Sequence, residues 1–156
     1  MKAATVHELK QELKNAKPAE LVELCLRLAR FKKENKELLT FLLFEAHDLA
    51  LYVVNVKEDM DHEFTEVNTR HVFFAKKTVR KILRTVNKYI RYTGSKTAEA
   101  ELLLHYCTRL KGLNLPMHKS TSLTKLYHAQ LKKAATAIDS LHEDLQYEYR
   151  KELDKL

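Results

Sequence analysis

In RHVFFAKKTVRKILRTVNKYIRYTG, residues 70–94, two sets of side chains recur with helical period on opposite sides of one axis. At about 100° per residue, Val72, Ala75, Val79, Ile82, Leu83, Val86 and Ile90 gather on one side, and Lys76, Lys77, Arg80, Lys81, Arg84, Lys88 and Arg91 gather roughly opposite. Phe74, Tyr89 and Tyr92 fall on the borders between the two. The pattern predicts a helix from about Arg70 to Thr93, apolar inside and basic outside. Asn68-Thr69 precedes it, and Gly94 is placed to end it in the left-handed conformation that glycine adopts without steric cost.

Working outward, residues 71–133 hold fourteen Lys and Arg against two Asp and Glu. Residues 1–70 hold eleven against thirteen, and 134–156 hold three against six. The formal net charge of +7 is therefore concentrated in the middle of the chain. Such a row of long cationic side chains suits an anionic partner, either an acidic protein or a nucleic acid whose phosphates it would neutralise with release of counterions. Two further anion positions follow at expected helix starts, Lys96 in Gly94-Ser95-Lys96-Thr97 and Lys119 in His118-Lys119-Ser120-Thr121. Against this stands an intramolecular alternative, in which Glu58, Asp59, Asp61, Glu63 and Glu66, just upstream, pair with the basic face within the molecule.

The rest of the chain extends the helical pattern. With 156 residues, 45% of them hydrophobic, two Gly and two Pro, one all-α domain of six or seven helices is expected, as a bundle or a short stack of helical hairpins. Thr5-Val6-His7-Glu8 fits a capping box for a first helix ending near Asn15, and Pro18 suits the first turn of a second. A polar break at 32–35 leads to a third helix carrying Leu38, Leu39, Leu42 and Leu43. Asp48 reads as the cap of the next. Thr97 and Gly112 bracket the helix after Gly94, and Pro116 lies in the only extended loop, 113–119.

A C-terminal helix spanning about 121–150 carries the stripe Leu123, Tyr127, Leu131, Ala134, Ile138, Leu141 and Leu145, a spacing that also suits a homodimer seam. Cys25 and Cys107 fall on apolar stripes and read as small core residues of a reduced compartment. Residues 1–10 lack the apolar run and cleavage site of a secretory signal. The most apolar window, Leu38 to Val56, holds Glu45, His47 and Asp48 near its centre, where a spanning helix tolerates them least. A cytoplasmic protein with no membrane partner is the expectation.

Catalytic signals are weak by comparison. Gly94-Ser95-Lys96-Thr97 ends like a phosphate-binding loop, yet the upstream glycine of that motif would fall at Ile90. Asp59 with His62 and Asp139 with His142 have the three-residue spacing of helical metal ligands, but solvent-facing polar positions explain them as well. Glu45-Ala46-His47-Asp48 offers an acid/base group only if buried, and a helix junction accounts for it otherwise. The sequence therefore predicts no catalytic residue, no metal ligand and no cofactor. Its leading reading is a non-enzymatic helical binding or adaptor protein with a basic face. Direct nucleic-acid binding by that face is the first alternative, and a carboxylate/His metal enzyme the second.

Overall fold

The computed structural model describes residues 1–156. The fold is all-α, with eight α-helices and no strand. The helices are α1 (Val6–Asn15), α2 (Pro18–Phe31), α3 (Lys33–Thr40), α4 (Leu49–Thr65), α5 (Val72–Thr93), α6 (Lys96–Gly112), α7 (Thr121–Asp139) and α8 (Glu143–Leu153). No helix is long and apolar enough to cross a membrane. The chain divides into two compact units, residues 1–44 and 45–156.

In the first unit the local signals work as the sequence predicts. The Thr5 hydroxyl accepts from Glu8 N, and the Glu8 carboxylate accepts from Thr5 N at 2.7 Å. These bonds satisfy otherwise open helix-start donors and hold the Glu8 carboxyl below its ordinary pKa. Pro18 occupies the first turn of α2. The polar break contracts to one extended residue, Lys32, and the third helix ends at Thr40 in a π turn, Phe41–Glu45. No side chain of α1, α2 or α3 is buried. Cys25 is accordingly exposed, contrary to the core position its spacing predicts. The stripe it belongs to exists, but Leu24 and Leu28 on the same side are 45% and 60% exposed, so nothing shields the thiol from solvent.

The second unit is a bundle centred on α6. Ala98, Ala100, Leu102, Leu103, Leu104, Tyr106, Cys107 and Leu110 are buried, so α6 is covered nearly all round, as an interior helix must be. It packs against α4, α5, α7 and α8, most extensively against α7. Each leucine buried here is worth about 1.5–3 kcal/mol over its exposed state. Tyr106 meets the requirement of a buried phenol by donating from its hydroxyl to the Val79 carbonyl at 2.9 Å, and its ring lies 5.5 Å from that of Phe64.

Several boundaries are as expected. Asp48 caps α4 by accepting from Leu51 N at 2.9 Å, and Glu45, Ala46 and His47 form the junction before it rather than a buried cluster. Gly94 ends α5 at φ 59°. The cap of α6, however, is Ser95, whose hydroxyl accepts from Ala98 N, and not Thr97. At the other end Gly112 is the last helical residue, while the left-handed position belongs to Asn114 at φ 50°.

The expected single helix over 121–150 is two helices, α7 and α8. The chain leaves α7 at Ser140, whose hydroxyl donates to the Ala137 carbonyl. His142 then caps α8, and Gln146 reaches back to the carbonyls of Asp139 and Leu141. An ion pair of 2.9 Å between Arg150 and Asp139 ties the two helices together.

A candidate anion-binding face

α5 divides as its sequence predicts. Ala75, Val79, Ile82, Leu83, Val86 and Ile90 are buried, while Lys77, Arg80, Lys81, Arg84 and Arg91 are exposed and Lys76 and Lys88 half-buried. Lys76, Lys77, Arg80, Lys81, Arg84 and Arg91 form no ion pair with any carboxylate of the chain. The ammonium of Lys76 lies 5.9 Å from the ring centroid of Phe73, and that of Lys88 lies 4.9 Å from that of Tyr89.

The acidic segment upstream does not neutralise this row. Asp61 turns to α6, where its Oδ1 lies 2.6 Å from His105 Nε2 and 3.1 Å from Arg109 Nε. Glu58, Asp59, Glu63 and Glu66 form no ion pair, and Asp59 and Glu63 border a pocket with Thr85 and Tyr89 on the other side of α5. The basic residues consequently face mainly one another. Lys76/Arg80, Lys77/Lys81, Arg80/Arg84 and Arg84/Lys88 are like-charged neighbours four residues apart, each destabilising a helix by about 0.2–0.5 kcal/mol. Across the row the cost is roughly 1–2 kcal/mol.

The two flanking positions differ from the row. Lys96 is engaged, its Nζ lying 2.7 Å from Glu99 Oε2, and Ser95 Oγ already caps the start of α6. Glu99 is further approached by Lys133 at 3.7 Å. Lys96 and Lys133 thus share one carboxylate in a groove of about 630 Å³ that Arg91 also lines. Lys119 is exposed and unpaired, in a 3-10 turn, Met117–Lys119, that packs chiefly on α7.

A second polar region was not legible as a unit in the sequence. Lys57 of α4 lies 2.7 Å from Glu101 Oε2 of α6, and the Tyr149 hydroxyl of α8 donates to Glu101 Oε1 at 2.7 Å. Burial, then the bond to Glu101, raises the Tyr149 pKa well above that of a free phenol, so it stays a neutral donor. These residues and His105 line a cleft of about 820 Å³, in which Lys111 donates to the backbone carbonyls of Lys155 and Leu156. Lys57, Glu101, Lys111, His105 and Tyr149 all have partners within the chain, and the network fastens α4, α6 and α8 to one another. No three His, Cys, Asp or Glu side chains converge to hold a metal ion; Asp139 is taken by Arg150, and His62 is exposed.

By fold the chain is an all-α protein. No protein-family model matches it, and neither a curated protein nor a solved structure is significantly similar to it.

Proposed function

We propose that this is a non-enzymatic helical binding protein, which meets an anionic partner with the outer face of α5. One observation carries the reading: six cations, Lys76, Lys77, Arg80, Lys81, Arg84 and Arg91, share one side of a well-packed helix without a single internal counter-charge. A face serving only solubility would mix both signs, as α8 does with Glu143, Asp144, Arg150 and Lys151. An enzymatic reading has less support, since Lys57, Glu101, His105 and Tyr149 at the polar cleft are each engaged with a partner in the chain.

The test is binding to heparin, a polyanion without bases, by the wild-type protein and by the double variant Arg80→Glu/Arg84→Glu. Wild-type affinity should fall steeply between about 50 and 200 mM salt, as expected when several cations release counterions. The variant should lose at least about tenfold while keeping its helical circular dichroism, because both side chains are exposed. Equal binding by variant and wild type would refute the assignment to α5.

A further inference from the structure

The cationic row begins with an aromatic ring. Phe73 is eighteen residues, or five full turns, before Arg91, and four, seven and eleven residues before Lys77, Arg80 and Arg84. It therefore belongs to the basic face itself, not to its border. It is 69% exposed, and Phe74 beside it is 53% exposed. Their rings meet edge to face at 5.5 Å, and His71 stands 6.0 Å from Phe74. At 1.5 Å per residue, the row from Phe73 to Arg91 is about 27 Å long.

We infer that the anionic partner of α5 is a single-stranded nucleic acid, with Phe73 stacking on an unpaired base while Lys77, Arg80, Arg84 and Arg91 follow its phosphates. The inference rests on the reading of α5 as an anion-binding face and adds the chemistry of the ligand. Three features of the helix select this occupant.

A ring set among cations is matched by a partner that presents a flat apolar surface and negative charge within a few ångströms, and a single strand offers both at each nucleotide. A duplex buries its base faces, leaving Phe73 opposite sugar and phosphate. Bidentate reading of adenine edges in a groove would call for a free amide side chain. The only amide in α5, Asn87, is already held by Lys133 Nζ at 2.7 Å and by the Leu83 carbonyl at 2.9 Å. The predominance of charge over apolar area on the face also favours a polyelectrolyte over an acyl-chain surface, since one or two rings among six cations make a small wedge.

The experiment compares four probes by fluorescence anisotropy or co-sedimentation: a labelled mixed-sequence DNA single strand, its duplex, heparin, and vesicles containing phosphatidylserine. The wild-type protein should prefer the single strand to the duplex, with a log–log salt slope of about −3 if each of the four cations neutralises one phosphate. Phe73→Ala should weaken single-strand binding on the order of tenfold, leave heparin binding unchanged and be rescued by Phe73→Tyr, which keeps the stacking surface. Unchanged single-strand affinity in Phe73→Ala, or stronger binding to duplex or vesicles, would overturn the inference. Heparin binding retained under those results would leave the α5 anion face standing, whereas loss of all four interactions in the wild-type protein would remove both.

Discussion

The stability of the bundle should fall at alkaline pH through one thiol. Cys107 is fully buried in α6, and burial alone pushes its pKa from 9.0 up to about 12. The folded protein holds that proton more tightly than the unfolded chain, so the stabilisation is complete below pH 9 and is lost as pH rises from 9 to 12. One pKa unit corresponds to about 1.4 kcal/mol, so the thiol alone should remove about 1.4 kcal/mol by pH 10.

Raising the pH also loads the phenols. Burial raises the pKa values of Tyr106, Tyr127 and Tyr149 above 10.0, which puts their window later, and comparison with Cys107→Ala isolates the thiol. That variant should start about 1 kcal/mol less stable from the void it leaves. It should then lose less stability than the wild type between about pH 8 and pH 10. In urea unfolding followed by circular dichroism under reducing conditions, the wild-type midpoint should drop by roughly 0.5–1 M more than that of the variant. Midpoints that fall in parallel would mean that Cys107 is not held protonated by burial, and the placement of α6 at the centre would be wrong.

The same burial difference predicts thiol chemistry. In the native protein one thiol, that of Cys25, should react promptly with a disulfide reagent, and the second, that of Cys107, only after denaturation; two fast native thiols would contradict the exposures seen here. Tyr106→Phe should cost about 1 kcal/mol by removing the bond to the Val79 carbonyl between α6 and α5, read as a lower urea midpoint; an unchanged midpoint would mean the bond contributes nothing net.

Periodicity reveals which residues share a face, and it is silent on whether that face is covered. α2 and α6 each set a cysteine among apolar residues at helical spacing, yet those of α6 lie in the bundle interior and those of α2 are exposed, which is why Cys107 and Cys25 look alike in sequence and differ in the fold. Local capping chemistry was legible at Thr5, Pro18, Asp48 and Gly94 because each acts within three or four residues of itself. The division of α7 from α8 was not. Ile138, Leu141 and Leu145 keep the helical phase across the break, and the bonds that stabilise it come from Gln146 and Arg150 further on. The run Leu102-Leu103-Leu104 lies in the interior helix α6, where consecutive apolar residues cover more than one face.

For the candidate site the decisive question was one of pairing. The wheel could assemble the cations of α5 but could not say where the carboxylates of 58–66 would go, because a helix pair admits either orientation of its charged flank. Asp61 resolves this by its two bonds to His105 and Arg109, which commit that flank of α4 to α6. A charged row that is buried with counter-ions stabilises a fold, and one that repels itself in water costs the fold and gains only on contact with opposite charge. Phe73 follows the same logic for apolar area. Its azimuth was available from its eighteen-residue spacing to Arg91, but exposure gives the position its meaning. The Phe73 ring stays largely in water beside the Lys76 ammonium, and a single ligand that stacks and carries phosphate would engage the ring and the unpaired cations together.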